Sequence, residues 1–312
     1  MFIVKTPLRL TVIAAFLFVL AGCGGGGGGS SSTLAPFVKF SSIAVPGSVR
    51  INGSSQEATY TFDTGTQRVT SVSSVTPFTS SATYDATYDG SGNRTKVVFN
   101  SAAGTNVTID TSLGDVFSYL AAFPNVLVGV TANGQKYYLA ARPEAYGWDY
   151  QSFGVWTTGA GTGSGTIGAA TVGAETAGSA IPVSGTGSYV GVSGGRYVDS
   201  SGVPFFTGSN MTATANFGTR SIAFATSNTA TSTDLISSTA NSNLNMSGTL
   251  TYSAGVNQFT GSVTTVGGGP SNAAMSGTAT GKFYGPTAQE IGGTFGLTNG
   301  STGYLGAFGG KR

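Results

Sequence analysis

Apolar and polar residues alternate with a period of two through the C-terminal half of this chain, and this pattern constrains the fold most strongly. In the segment NMTATANF, residues 210–217, the odd-numbered residues are Met, Ala, Ala and Phe, and the even-numbered ones are Asn and Thr. Successive side chains of a strand point to opposite faces, so each such segment predicts a strand with one apolar face. Comparable strands are predicted over 148–156, 187–198, 222–226, 244–252, 259–263, 273–283, 291–297 and 304–308.

A sheet of strands that are apolar on one face has to close on itself or pack against a second sheet. Glycines recur on the apolar face, as at Gly248, Gly277 and Gly281. The interior of a barrel of about eight strands is only just filled by side chains, and glycine beside a large residue lets the wall coil tightly. We therefore predict that residues 146–312 form an eight-stranded antiparallel β-barrel with a filled core. A transmembrane barrel, whose apolar face would point outward, is the alternative.

Residues 34–145 show shorter strand-like runs and one helical pattern. The apolar residues of 116–123 are spaced i, i+3, i+4 and i+7, and Pro124 ends the run, which predicts one short helix. The expected fold class is mainly all-β, with a small N-terminal β-sheet domain that contains this helix and precedes the barrel. We call this N-terminal domain the handle and place its boundary with the barrel near residues 142–144.

The N-terminus carries a basic start and an apolar run over residues 10–20, followed by the only cysteine of the chain, Cys23. The run is the length of a signal-peptide core and too short to cross about 30 Å of hydrocarbon as a helix. Leu20-Ala21-Gly22-Cys23 resembles the lipobox of bacterial lipoproteins. We predict a signal peptide over 1–22, a lipid anchor on Cys23 and a Gly/Ser tether that completes the segment 23–33. An uncleaved N-terminus with an incidental cysteine is the alternative.

The charge balance excludes some classes of partner. Two of the 14 basic residues, Lys5 and Arg9, lie in the predicted signal peptide, so 12 positive and 12 negative side chains remain after it. A nucleic-acid binder or a polybasic membrane binder needs a concentrated positive field, and neither is predicted. Charged residues make up 8% of the chain, against about 25% in an ordinary domain. Since 39% of residues are hydrophobic, we expect a folded chain with a surface of Ser, Thr and Asn rather than a disordered one.

The residues available for catalysis are few. The chain has no histidine, which removes Ser-His-Asp catalysis and histidine-ligated zinc or haem. The segment GVSGG, 191–195, has the G-x-S-x-G spacing of a nucleophile elbow but lacks a base and a following helix. The carboxylates of the barrel half form no motif. We predict that the protein is not an enzyme and has no metal or cofactor, although haem bound through Tyr or Met is left open.

The segment DSSGVPFFTG, 199–208, is the strongest candidate for a binding loop. It places Pro204, Phe205 and Phe206 where exposed aromatic rings could anchor a partner. In the alternative interpretation, Phe205 and Phe206 begin a strand and point inward. We predict these three residues as the ligand-binding site.

The C-terminal sequences FYGPTAQEIGGTFGL, 283–297, and GAFGGKR, 306–312, resemble the end of the β-barrel of transferrin-binding protein B and its relatives, the Slam-dependent surface lipoproteins. The segments YQSFGVW, 150–156, and SAIPVSGTGSYVG, 179–191, are similar to the first barrel strands of that family. Transferrin-binding protein B has two lobes, each a handle followed by a barrel, and this chain is long enough for one lobe.

The resemblance implies a lipoprotein of the outer membrane, exposed at the cell surface, that binds a host or environmental protein or an iron- or haem-bearing ligand for nutrient uptake. It also implies a TonB-dependent receptor and a Slam-type translocator as partners. The alternative is a structural or envelope-interaction lipoprotein that faces the periplasm and has no nutrient ligand.

Overall fold

The computed structural model describes residues 37–268, 274–300 and 302–312, and almost all of their regular structure is β-strand. The strands form two antiparallel sheets. The first sheet consists of β1 (Gly47–Asp63), β2 (Arg68–Val72), β3 (Thr79–Tyr88), β4 (Arg94–Asn100), β5 (Asn106–Asp110), β6 (Val116–Tyr119), β7 (Val126–Val130), β8 (Tyr137–Ala141), β9 (Gln151–Thr157) and β10 (Ser164–Gly173). The second consists of β11 (Thr186–Val198), β12 (Pro204–Asn216), β13 (Ser221–Ser232), β14 (Thr239–Ala240), β15 (Met246–Tyr252), β16 (Phe259–Thr265), β17 (Ser276–Tyr284), β18 (Glu290–Asn299) and β19 (Thr302–Lys311).

The second sheet closes into a barrel. Each strand from β11 to β19 pairs with the next long strand along the chain, and β19 returns to pair with β11. The two-residue strand β14 pairs only with the end of β13, so eight strands make up the closed ring. The prediction of an eight-stranded antiparallel barrel is therefore confirmed, although the barrel begins at Thr186 rather than near residue 146.

The barrel interior follows the alternation in the sequence. Met211, Ala213, Ala215 and Phe217 are all at most 2% exposed and belong to one barrel core. Glycine makes room for large rings in this core. Gly281 lies opposite Phe259, and a Cβ at this glycine would lie 2.7 Å from two ring carbons of Phe259. A small residue on one strand therefore faces a large residue on the neighbouring strand, as packing inside a narrow barrel requires.

The first sheet is not closed by pairing among the described strands, and its edges are β5 and β6. The long strand β1 pairs with β3 through its first half and with β10 through its second. One face of the sheet surrounds its own core, in which Trp156 is fully buried and contacts the Phe99 ring at a centroid distance of 4.6 Å. The other face packs against the outside of the barrel.

The contact between the sheets is a third hydrophobic core. It includes Phe153 and Ile167 from the first sheet and Leu305 and Ala307 from β19. We call it the interface core. Both sheets belong to one compact unit, so the division of the chain into a handle domain and a barrel domain stays a prediction.

Polar contacts between the sheets accompany the interface core. The buried carboxylate of Glu290 accepts hydrogen bonds from the backbone N–H groups of Asp149, Tyr150 and Gln151, at 2.7, 2.9 and 2.9 Å. The buried ammonium of Lys282 donates to Glu175 at 2.7 Å and to Ser80 at 2.8 Å. Because these groups are withdrawn from water, the sheets have to stay in register for their partners to be satisfied.

The predicted helix over 116–123 is wrong. Residues Val116–Tyr119 form β6, which pairs with β7. Val116 and Tyr119 are 56% and 61% exposed, so the helical spacing did not mark a buried face. The strand forms because β7 offers hydrogen-bond partners and Val, Phe and Tyr favour strands. The α-helix of the described residues is the single turn Pro143–Tyr146, here α1.

The prediction that residues 150–156 form a barrel strand is also wrong. Most of this segment is β9, which pairs with β8 and β10 in the first sheet. The segment is buried on both faces, so its apolar alternation could not show which sheet it joins. The change from the first sheet to the barrel falls between Gly173 and Thr186.

Candidate functional site

Three cavities lie along the margin of the interface core, and together they form the candidate site. The largest, about 990 Å³, lies between the connection of β2 to β3 and the outer face of β17 to β19. We call it the β2 cleft. The second, about 370 Å³, contains Arg196, and the third, about 300 Å³, contains Phe123. We call them the Arg196 cavity and the Phe123 cavity.

The three cavities are neighbours. The β2 cleft and the Arg196 cavity share Val69, Val72, Ile167 and Val198, and the Arg196 and Phe123 cavities share Phe206. They therefore form one discontinuous groove around the interface core, which we call the inter-sheet groove.

Few charged side chains line this groove. The β2 cleft is lined by hydroxyl and apolar groups and by the amide of Gln56. Its one charged lining residue among those described is Arg68, whose Nη1 lies 3.4 Å from the hydroxyl of Ser201. The charged residues that line the Arg196 cavity are Arg196 and Asp234. No charged residue lines the Phe123 cavity. Such a surface suits binding by apolar contact and neutral hydrogen bonds.

Arg196 occupies an unusual position in β11. Positions 192, 194, 196 and 198 lie on the outer face of the barrel, toward the first sheet, and Arg196 is directly opposite Phe206 of β12. Its guanidinium carbon lies 3.8 Å from the centre of the Phe206 ring, which is a cation–π contact. The Tyr60 ring borders the same cavity, and its hydroxyl donates to the carbonyl of Thr158 at 2.7 Å.

The guanidinium of Arg196 has no anionic partner in the part of the chain that the structure describes. Its Nη1 is shielded from solvent and makes no hydrogen bond there. Burial lowers the pKa of Arg196 to about 10, so the side chain stays charged at neutral pH. A guanidinium that is partly withdrawn from water and has no counter-ion is less stable than a paired one. Arg196 borders a cavity rather than a packed core.

Asp234 does not neutralise Arg196. Its carboxylate accepts hydrogen bonds from the N–H groups of Ile236 and Ser237 at 2.9 and 3.1 Å. These bonds hold the pKa of Asp234 below its ordinary value. The carboxylate thus fixes the turn that follows β13, and this turn forms one wall of the Arg196 cavity.

The three residues predicted as a binding loop lie at the start of β12 and are half-buried. Phe205 packs against the barrel core and lies 5.9 Å from the Tyr197 ring. Phe206 and Pro204 face outward and line the Arg196 cavity. The two residues begin a strand, as in the alternative interpretation, but only Phe205 points inward, whereas Phe206 points toward the first sheet. Ligand binding by these residues stays a prediction.

The other predicted site residue, Cys23, lies outside the described residues, so its lipidation stays a prediction. Within the described residues, no group of three Asp, Glu, Cys or His side chains comes together as a metal site would require. No helix of the described residues is long and apolar enough to span a membrane.

Sequence reasoning missed Arg196, Tyr60 and Tyr137, which the fold brings to one cavity from β11, β1 and β8. A signal was present in β11, where Arg196 is the one charged residue among the small and apolar outward positions 192, 194 and 198. A charged side chain among small and apolar positions of one strand face is uncommon, so it marks a candidate functional residue.

The family model described as the C-lobe and N-lobe β-barrels of Tf-binding protein B matches residues 181–312. This range coincides with the closed barrel, β11 to β19. No curated protein matches the sequence.

Several solved structures are similar to this chain. A variant of transferrin-binding protein B from Actinobacillus pleuropneumoniae H49 is 13% identical, with a TM-score of 0.45 over 82% of this chain and 98% of that chain. A variant from Haemophilus parasuis Hp5 is 13% identical, with a TM-score of 0.43 over 85% and 76%. The N-lobe of lactoferrin-binding protein B from Moraxella bovis is 12% identical, with a TM-score of 0.33 over 82% and 99%.

Proposed function

The β-barrel of this chain, residues 181–312, matches the family model of the Tf-binding protein B β-barrels, and from that premise we propose that the chain is a transferrin-binding protein B-like surface lipoprotein of the outer membrane. Cys23 carries the lipid anchor, and the folded body binds a protein or an iron- or haem-bearing ligand for nutrient uptake. In this role the protein binds its ligand and makes or breaks no covalent bond. A TonB-dependent receptor would receive the ligand, and a Slam-type translocator would deliver the protein to the surface.

The observation that carries the proposal is the β2 cleft. Its volume of about 990 Å³ is at the upper end of the 300–1,000 Å³ or so that is usual for binding sites. Its walls combine the apolar side chains of Val72 and Leu305 with the hydroxyls of Ser73 and Thr278. Protein ligands commonly place an aromatic or aliphatic side chain into such a cleft. Phe206, farther along the inter-sheet groove, would extend the same contact surface.

Protease shaving of intact cells tests the location. We expect the barrel to be removed while a lipoprotein of the inner leaflet survives. If the barrel is cut only after the outer membrane is breached, the surface proposal fails and the periplasmic structural alternative replaces it. Cys23→Ser should release the protein from the membrane fraction, and a variant that stays membrane-bound would contradict the anchor.

A pull-down with transferrin and haem proteins tests the binding role, and it can be directed at the cleft. Thr278 is exposed at the cleft wall, so Thr278→Arg should project a long charged side chain into the cleft without disturbing a core and should reduce ligand capture. Thr249→Arg places the same side chain on an exposed position of β15, away from the groove, and serves as the matched control. Equal capture by both variants would exclude the β2 cleft as the site.

A further inference from the structure

The Arg196 cavity combines a cation that has no anionic partner among the described residues with walls that are mostly apolar. The Nη1 atom of Arg196 makes no hydrogen bond among the described residues and is shielded from solvent. The rings of Phe206, Tyr60 and Tyr137 and the side chains of Ile167 and Leu235 line the same cavity. A guanidinium is planar, and two of its N–H groups can bind both oxygens of one carboxylate at once.

From this geometry we propose that the Arg196 cavity binds an organic monocarboxylate with an apolar body, aliphatic or aromatic. The carboxylate would pair with the Arg196 guanidinium, and the apolar body would lie against the rings and the aliphatic wall. This site adjoins the β2 cleft, with which it shares lining residues, but it does not depend on protein binding there.

The size and charge of the cavity select this class of ligand. A volume of about 370 Å³ is too small for a folded partner and lies within the range of small-molecule pockets, about 300–1,000 Å³. The carboxylate of Asp234 also borders the cavity, but the backbone N–H groups of its own turn occupy it. A dianion such as phosphate would make no apolar contact with the walls and would bring a second negative charge near the Asp234 carboxylate. A neutral apolar molecule would leave the guanidinium unpaired.

Phe206 holds the charged guanidinium of Arg196 in position. It lies across the β11–β12 pair from Arg196, and its ring covers one face of the guanidinium at 3.8 Å. The cation–π contact uses the face of the guanidinium and therefore takes up none of the N–H donors at its edge. The cross-strand register thus holds the donor edge in place before any ligand enters, which reduces the entropy lost on binding.

Isothermal titration calorimetry on the detergent-solubilised full chain tests the proposal with 2-naphthoate and hexanoate, each compared with its uncharged amide. Detergent alone serves as the blank. We expect each acid to bind at least about tenfold more tightly than its amide, because the ionic hydrogen bond is lost with the charge. The naphthoate and hexanoate arms decide between an aromatic and an aliphatic body. Equal affinity of acid and amide, no binding of either acid, or binding of chloride or phosphate alone would overturn the proposal.

Two variants locate the site. Arg196→Gln removes the charge and should reduce acid binding at least about tenfold, whereas Arg220→Gln removes an exposed arginine from the β12–β13 turn and should leave binding unchanged. If Arg196→Gln fails to fold, Ala160→Trp decides. Ala160 is half-buried at the cavity wall, so a tryptophan should block entry and abolish binding while Arg196 stays in place. Unchanged binding by the folded Arg196→Gln protein or by Ala160→Trp would contradict the assignment.

Discussion

The wall of the barrel has two sides that differ in what covers them. On β15 and β16 the outward positions carry hydroxyls such as Thr249, Thr251 and Thr260, and they face water. On β18 and β19 the outward positions include Thr294, Leu305 and Ala307, which are at most 4% exposed because the first sheet covers them. The barrel interior is similar on both sides. The difference shows that one closed barrel can use part of its outer wall as a second core, and that the groove lies where this cover ends.

The largest expected effect compares one substitution on the two sides of the wall. Ala307 is fully buried in the interface core, and Ala223 is exposed on the outside of β13. Ala307→Asp would bury an unpaired carboxylate between the sheets and should cost more than about 4 kcal/mol in the free energy of unfolding. Ala223→Asp should stay within about 0.5 kcal/mol of the parent. Urea unfolding measures both. Similar losses would show that the first sheet does not cover β19.

The second prediction concerns the buried carboxylate that joins the two sheets. Glu290→Ala would leave the N–H groups of Asp149, Tyr150 and Gln151 without acceptors and should destabilise the protein by about 3 kcal/mol, at about 1 kcal/mol for each. Glu144→Ala removes an exposed carboxylate whose salt bridge to Arg142 contributes about 0–1 kcal/mol to the free energy of unfolding. Equal unfolding midpoints for the two variants would mean that water replaces the Glu290 carboxylate without loss.

The barrel was predictable from the sequence because its interior repeats one physical demand. Every second residue must be apolar and must fit a narrow closed space, so residues 211–217 and 291–297 carried the signal by themselves. It was harder to predict that the first sheet covers part of the outer wall of the barrel. The outward positions of β19 are Leu305, Ala307 and Gly309, which lack the hydroxyls of β15, and this shift in composition was the available clue.

The remaining features depend on contacts between distant parts of the chain. The helical spacing over 116–123 was overridden by pairing with β7, which no local pattern reveals. Residues 151–157 could have joined either sheet, because they are buried on both faces. Pro204 and Phe206 were identified as candidates without the cavity that they border. Arg196 was missed because a single arginine forms no motif, and it became a candidate only when the fold showed that no described residue is its anionic partner.

The third prediction concerns how much the apolar packing of the first sheet against the barrel contributes to the free energy of unfolding. Leu305 is 4% exposed in the interface core, whereas Val190, on the outward face of the adjacent strand β11, is 66% exposed. Leu305→Ala should cost about 2–3 kcal/mol, from the lost burial and the cavity left behind. Val190→Ala should cost no more than about 0.5 kcal/mol. A large loss for Val190→Ala would indicate that the water-facing side also packs against something.

The smallest expected effect is on the exposed turn that borders the groove, and it depends on pH. Backbone hydrogen bonds hold the pKa of Asp234 below its ordinary value of 3.8. A carboxyl whose pKa is lowered by folding stabilises the protein above the unfolded value, and this contribution is lost as the pH falls through the folded value. The melting temperature of Asp234→Asn should therefore lie slightly below that of the parent at pH 6, and the difference should shrink below pH 3.8. A difference that persists unchanged in acid would show that the turn is held by contacts other than the Asp234 charge.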